Sequence, residues 1–179
     1  RDGKTAESLD PYGFSTSANG RNSAVINLAR VLDIPDPGVK TPLASPADAV
    51  IYECSVRDMT SSILSNTREH GTFNALCQSG TSYRGQPTGF DYLCSLGITH
   101  VQLQPVIDFS TVDEEHPDRN YNWGYDPAQI VGLEGSYTKH PEDPYSRMMG
   151  LRKVTAAFHE HGIRVILDVV YNHMYDMEQ

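Results

Sequence analysis

The clearest fold signal in this chain is Gly162-Ile-Arg-Val-Ile-Leu-Asp-Val-Val-Tyr-Asn-His173. Its apolar run from Val165 to Val170 is interrupted by one carboxylate, Asp168. Continuous apolar runs of this kind are typical of strands covered on both faces, as in a parallel sheet. Burying a carboxylate is costly without a partner, so Asp168 should either bond strongly or act chemically. A loop-capping Asp168 and a solvated His173 fit these residues equally well.

Two further segments upstream have the same strand-like character. The order is strand 49–56, a helix ending near Leu96, strand 98–103, a helix over 144–161 and strand 163–170. Alternating strands and helices predict a parallel sheet with right-handed crossovers. A doubly wound sheet stays open as an alternative, although no phosphate-binding glycine motif follows any of these strands.

The lengths of the connections are unequal on the two ends of the sheet. Long irregular segments, 57–89 and 105–143, follow strands, whereas the turns before strands at Gly97 and Gly162 are tight. This asymmetry predicts a functional face at the carboxyl ends of the strands. The acidic run Asp113–Glu115 in the second segment is better interpreted as a solvated loop than as a metal site.

The amino-acid composition limits the classes of molecule that this protein could bind. The 179 residues carry a net charge of −9, which argues against nucleic acid and against an anionic membrane surface. No apolar run approaches the roughly 20 residues that a membrane helix needs. An acidic chain with ten tyrosines suits neutral, hydroxyl-rich ligands such as sugars. Three cysteines without metal-like spacing favour reduced thiols and a cytoplasmic location over a secreted or cell-surface one.

The first forty residues differ from the rest of the chain in their predicted structure. Asn19-Gly20 is a strong hairpin-turn pair because both residues tolerate positive φ, and strand-like segments 14–17 and 23–28 flank it. The prolines that follow Ile34 are typical of a linker. Residues 1–40 are therefore predicted to be the end of a β-domain.

The most distinctive peptide is Asn120-Tyr-Asn-Trp-Gly-Tyr-Asp-Pro127, which combines three aromatic residues, two amides and an acid. Aromatic rings can stack on the C–H faces of sugars, while Asn and Asp bind hydroxyls. Alternatively, Trp123 and the tyrosines only hold a long loop against the sheet.

The peptide 121–127, followed by Glu134-Gly-Ser-Tyr137, resembles the signature of type I pullulanases, debranching enzymes of the α-amylase superfamily. Asp168-Val-Val-Tyr-Asn-His173 resembles the first conserved segment of that superfamily. The resemblance implies an α/β fold: residues 41–179 would form the first three or so units of a (β/α)8 TIM barrel. Residues 1–40 would be the C-terminal remnant of a β-sandwich module that resembles glycan-binding ones, with a linker.

The resemblance also implies roles for single residues. Tyr125 would stack on the glucose at subsite −1, and His173 would bond to hydroxyls of the same sugar. Asp168 would hold a neighbouring arginine and nucleophile in place, while Trp123 and Asn172 would be structural. The pattern implies no metal ligand and no required cofactor, although Asn172 matches a calcium ligand of many α-amylases.

The three catalytic acids of the superfamily lie on later strands, so the nucleophile and acid/base are expected beyond Gln179. We therefore expect an inactive fragment of an enzyme that hydrolyses α-1,6 branch linkages of pullulan, glycogen or amylopectin with retention. An isoamylase or branching-enzyme relative, or a non-catalytic module that binds α-glucan or maltooligosaccharide, are the alternatives. The open edges of a partial barrel would also favour self-association.

Overall fold

The computed structural model describes residues 9–39 and 41–175 of the chain. Within these ranges the helices are α1 (Leu28–Leu32), α2 (Val56–Thr60), α3 (Phe73–Leu76), α4 (Gly89–Ser95) and α5 (Pro144–Glu160). The strands are β1 (Ile51–Cys54), β2 (Ser82–Tyr83), β3 (Gln86–Pro87), β4 (His100–Leu103) and β5 (Arg164–Leu167). None of the helices in these ranges has the length and apolar character required to cross a bilayer.

The three strands predicted from apolar runs form one parallel sheet in the order β1-β4-β5. Ile51, His100 and Arg164 are aligned at the start of the three strands. The predicted parallel sheet is confirmed, but each strand is shorter than its apolar run. At the end of β1, for example, the Ser55 hydroxyl accepts a hydrogen bond from the Asp58 N–H, which begins α2 instead of extending the strand.

The two faces of this sheet have opposite character. Val101 and Leu103 of β4 are fully buried on the face that the helices cover. On the other face, the Glu53 carboxylate accepts hydrogen bonds from the amides of Gln102 (3.4 Å) and Gln104 (3.2 Å). Within the described residues, one face of the sheet is therefore covered by helices and the other is not, as expected for a partial barrel.

Helix α5 forms the main cover of the sheet. It begins at Pro144 because the Asp143 side chain accepts a hydrogen bond from the Tyr145 N–H and caps the first turn. Its Val154 and Phe158 are fully buried in the core. The predicted helix 144–161 is thus confirmed to within one residue at its end.

The segment 57–89, predicted to be mainly loop, contains α2, α3 and the hairpin β2–β3. Thr72 caps α3 by accepting a hydrogen bond from the Ala75 N–H. Phe73 and Leu76 of α3 are then buried in the central core. Helices of four or five residues are too short to show a helical period in the sequence, so the prediction missed them.

The N-terminal segment 9–39 contains the predicted turn but little of the predicted hairpin. Asn19 and Gly20 both adopt positive φ, 56° and 62°. The pairing is one antiparallel bridge, Thr16 with Ser23. The strand predicted to reach Leu28 is wrong there, because Asn27 accepts a hydrogen bond from the Ala29 N–H and starts α1.

This segment is attached to α5 through Asp36. Its carboxylate binds Arg152 (2.9 Å) and His159 (2.6 Å). Burial alone would raise the pKa of Asp36, but hydrogen bonds from the Gly38 N–H and from His159, with the charges of His159 and Arg152, outweigh burial and lower the pKa. The division at residue 40 and the β-sandwich origin of residues 1–40 stay predictions, since residues 1–8 and 40 lie outside the described ranges.

Candidate functional site

The structure brings together three residues that the sequence analysis selected. Asp168 directly follows β5, and its N–H donates to the Leu103 carbonyl (2.9 Å). The Tyr125 hydroxyl donates to Asp168 Oδ2 at 2.8 Å. The His173 Nε2 lies 2.9 Å from the Tyr125 carbonyl oxygen. Aromatic, carboxylate and imidazole groups therefore meet at the carboxyl end of the sheet.

Burial and the bond to Asp168 both stabilise the protonated phenol of Tyr125. Burial, the hydrogen bond to Asp168 and the negative charges of Asp168 and Glu53 raise the pKa of Tyr125 to about 12. The phenol therefore keeps its proton at neutral pH and stays a hydrogen-bond donor. This bond also gives Asp168 the strong partner that its position predicts.

The loop that carries Tyr125 is built around Asn122. The Asn122 amide donates to the Ser110 carbonyl (2.9 Å) and to Asp126 (2.7 Å), and its oxygen accepts from the Gly124 N–H (2.8 Å). Gly124 has a φ of +93°, and a Cβ there would lie 2.8 Å from the Pro105 carbonyl oxygen. Both the backbone conformation and the close approach require glycine at this position. The loop is thus held by its own side chains and by the end of β4.

Three aromatic rings of this loop remain accessible. Tyr121, Trp123 and Tyr125 are 51 %, 61 % and 37 % exposed. With Asn122 and Asp126 they line an open surface cavity of about 550 Å³. The Tyr121 hydroxyl donates to Asp58 Oδ2 at 2.5 Å, which holds that ring in place. The structural role predicted for Trp123 stays a prediction, and its exposed indole is free to contact a ligand.

Asn172 and a row of polar side chains also lie near this end of the sheet. Asn172 is exposed, and its predicted structural role is likewise still a prediction. Sequence reasoning missed the polar row of Glu53, Gln102 and Gln104 on the open face of the sheet. The sequence does contain a signal for this row. Polar residues alternate with buried ones along β1 and β4, which is the period of a strand with one polar face.

A second group of acids lies away from the aromatic loop. Asp108, Glu114 and Glu134, called here the acidic cluster, each offer a carboxylate oxygen within 4.8 Å of the others. They are 5 %, 3 % and 0 % exposed. Arg147, fully buried, binds both oxygens of Glu114 at 3.1 and 2.9 Å. The interpretation of 113–115 as a solvated loop is therefore wrong for Glu114, because its side chain turns inward to Arg147.

Burial dominates the electrostatics of this cluster. It raises the pKa of Asp108 to about 7, an effect that the Glu114 charge increases and Arg147 opposes. Burial also raises the pKa of Glu134 to about 8, with added contributions from Glu114 and Asp108. The pKa of Tyr137 is raised too, by burial and by the charge of Glu134. Burial and mutual repulsion thus both favour the protonated forms of Asp108 and Glu134, while the Arg147 charge opposes this effect at Asp108.

Parallel β/α units with a polar, aromatic site at the carboxyl ends of their strands define the beginning of a (β/α)8-barrel enzyme. Comparison with known families agrees with this class. The family described as alpha amylase, catalytic domain, matches residues 65–179. The chain belongs to this family, and it corresponds to the N-terminal part of the catalytic domain.

Within this family, the chain is similar to pullulanases in both sequence and structure. The pullulanase of Bacillus subtilis is 40 % identical over 177 residues, covering 96 % of this chain and 24 % of the relative. The crystal structure of a pullulanase from Anoxybacillus sp. LM18-11 complexed with maltotetraose superposes with a TM-score of 0.89. That match is 46 % identical and covers 93 % of this chain and 24 % of that protein. The chain thus spans about a quarter of these relatives.

The comparisons confirm the resemblance to pullulanases and the partial barrel that the sequence predicts. A pullulanase from Paenibacillus barengoltzii, solved with maltohexaose and alpha-cyclodextrin, gives the same fold with a TM-score of 0.86 at 43 % identity. That match covers 94 % of this chain and 27 % of that protein. Both solved structures share the β/α arrangement described above.

Proposed function

We propose that this chain forms part of the α-glucan site of a pullulanase-type glycoside hydrolase, which cleaves α-1,6 branch linkages in pullulan, glycogen or amylopectin with retention. The observation that carries the proposal is the bonded group of Tyr125, Asp168 and His173 beside two further exposed rings. In this role Tyr125 stacks on one glucose unit and His173 reaches its hydroxyls. Asp168 keeps the Tyr125 ring in its orientation.

The relatives support the ligand class. Pullulanases of Anoxybacillus sp. LM18-11 have been solved with maltotetraose and with maltotriose, at 46 % identity to this chain. The open cavity of about 550 Å³ has the size of a small-ligand pocket, and its walls are three aromatic rings, the Asn122 amide and the Asp126 carboxylate. Maltooligosaccharide is therefore the ligand with which to test the site, and the longer glucans are the proposed substrates.

Retaining hydrolysis requires two carboxyl groups about 5–5.5 Å apart, one of them a general acid. The carboxylates near Tyr125 have other tasks: Asp168 accepts the Tyr125 hydroxyl, and Glu53 accepts two glutamine amides. We therefore assign no catalytic acid within residues 9–39 and 41–175. The chemistry of two carboxyls needs no organic cofactor, and none is proposed.

Binding is tested by titrating the 179-residue chain with maltotetraose and following NMR shifts. Saturable binding is expected, and Tyr125→Ala should lose it because the stacking ring is removed. Tyr83→Ala, which removes an exposed ring of β2, serves as the matched control and should bind normally. Equal binding by both variants would contradict the assignment of Tyr125.

Turnover is tested by measuring reducing ends released from pullulan. We expect none from the 179-residue chain, with release by a longer protein that includes the later barrel strands. Cleavage by the chain alone would place both catalytic acids inside it and refute the assigned roles. Cleavage of branched glycogen but not of pullulan by the longer protein would favour the isoamylase alternative.

The oligomeric state and the cellular location of the protein remain proposals. Self-association would occur through the open edges of β1 and β5, where Ile51 and Leu167 are exposed, and light scattering tests it. A cytoplasmic location is proposed from the reduced state of the three cysteines, which are unpaired in the structure. Burial raises the pKa of Cys54 to about 12, so this thiol is unreactive.

A further inference from the structure

The polar row of Glu53, Gln102 and Gln104 has no role in the sugar site as proposed above. It lies on the open face of the sheet, near the carboxyl ends of β1 and β4. The inward-facing layers of a (β/α)8 barrel are dominated by bulky branched apolar residues. A carboxylate with two amides in such a layer therefore needs an explanation.

The two glutamines hold Glu53 as a carboxylate. Glu53 Oε2 accepts a hydrogen bond from the Gln102 amide at 3.4 Å, and Oε1 accepts one from the Gln104 amide at 3.2 Å. Acceptance by both oxygens is the pattern of an ionised carboxyl group. Because both partners are neutral amides, they orient the carboxylate without cancelling its charge.

The register of the sheet continues the polar row to Asp168. Glu53 is paired with Gln102, and Gln102 is paired with Ile166. The Asp168 N–H donates to the Leu103 carbonyl at 2.9 Å, so the pairing extends past the end of β5. Side chains alternate along a strand, and Asp168 comes two residues after Ile166. Its side chain is therefore on the same face of the sheet as the polar row.

The charge of Glu53 also reaches the aromatic loop. Burial is the largest cause of the raised pKa of Tyr125, and the charges of Asp168 and Glu53 add to it. Within residues 9–39 and 41–175, the salt bridges of lysine and arginine involve neither Glu53 nor Asp168. The ring that would stack on a glucose unit thus lies in the field of two carboxylates.

We infer that Glu53 is a positioning residue that makes this site favour a sugar ring with positive charge over a neutral one. The inference rests on the proposed function, because it requires a glucose unit stacked on Tyr125. Glycoside hydrolysis passes through an oxocarbenium-like transition state, whose ring carries positive charge. A fixed carboxylate near that ring stabilises the charge as it develops. Glu53 would contribute in this way without touching the sugar.

The competing explanation is that Glu53 only links β1 to β4 through its two hydrogen bonds. A structural link predicts that removing the charge weakens neutral and cationic sugars equally. An electrostatic role predicts a larger loss for the cationic sugar, and a loss that salt reduces. Two opposite charges roughly 10 Å apart at a protein surface change the affinity by about two- to tenfold at low salt.

The experiment compares two ligands of equal length in NMR titrations of the 179-residue chain. Maltotriose is neutral, whereas the ring amine of maltosyl-isofagomine, an iminosugar, is protonated at pH 7. We expect the native chain to prefer the cationic ligand at low salt. Glu53→Gln should reduce this preference by about two- to tenfold, and added sodium chloride should reduce it in the native chain.

Two variants serve as controls. Glu53→Asp keeps the charge on a side chain too short to keep both glutamine bonds, so it should retain most of the preference. Glu160→Gln removes an exposed carboxylate at the end of α5, next to the start of β5, and should leave the preference unchanged. Circular dichroism checks that each variant is folded, which is expected because Glu53 is exposed on the open face.

The outcomes separate this inference from the proposed function. Equal losses for both ligands in Glu53→Gln, or a preference that does not respond to salt, would overturn the role of the Glu53 charge while leaving sugar binding in place. A native chain that binds neither ligand would refute the proposed sugar site, and the role of Glu53 with it.

Discussion

Replacing Arg147 by methionine should be among the most destabilising single changes in this chain. The guanidinium is fully buried and bonds to both oxygens of Glu114, to the Thr16 hydroxyl and to the carbonyls of Leu133 and Pro141. Removing one partner of a buried ion pair leaves an uncompensated charge and costs about 3–5 kcal/mol. In a chain of this size each kcal/mol lowers the Tm by roughly 2–4 °C, which gives a loss of about 6–20 °C.

Urea unfolding followed by circular dichroism measures the loss in the free energy of unfolding. Arg119→Met is the matched control, because Arg119 is 67 % exposed and makes one contact of 3.5 Å with Asp113. An exposed pair of this kind contributes about 0–1 kcal/mol. A double variant, Arg147→Met with Glu114→Gln, separates charge from packing. It should recover a substantial part of the stability because the buried negative charge of Glu114 is also removed.

A loss of no more than about 1 kcal/mol for Arg147→Met, as for an exposed pair, would refute the role of the buried charge. A double variant as unstable as the single one would refute it too. In that case the loss would arise from the shape of the arginine side chain and not from its charge. The charge account would then have to be abandoned for Asp108 and Glu134 as well.

Two other variants test the conformation of the site loop and the attachment of the N-terminal segment. Gly124→Ala should lower the free energy of unfolding by at least about 1–3 kcal/mol through strain, and more than Gly97→Ala, which also has positive φ but open space around its Cβ. Asp36→Asn should cost about 1.5–3 kcal/mol at pH 7, the contribution of a hydrogen bond to charged groups. Because the pKa of Asp36 is lowered in the folded state, this stabilisation is complete above its unfolded pKa near 3.8 and disappears as the pH falls below that value. Urea unfolding between pH 2 and 7 checks both, and a cost for Asp36→Asn that stays constant across this range would count against the ion pair.

Local patterns in the sequence were sufficient to predict much of the fold and the residues of the proposed sugar site. The apolar runs around Val101 and Val165 predicted the parallel strands, since parallel pairing needs buried, β-branched segments of this kind. The caps at Asp143 and Asn27 act within two residues of themselves, so their effect is local. The peptide 121–127 indicated the proposed sugar site because its residue types can carry the required chemistry wherever the loop is placed.

Only the tertiary structure could show which groups meet. The hydroxyl of Tyr125 reaches Asp168 across 43 positions of the chain, and Arg147 reaches Glu114 across 33. Such pairs depend on how the segments after β4 and β5 cross the end of the sheet, which no local pattern encodes. The same reason explains the acidic cluster: the sequence places Asp108 and Glu134 in irregular segments, where acids are usually solvated. Folding removes them from water, and burial converts ordinary carboxylates into groups that need a proton or a cation.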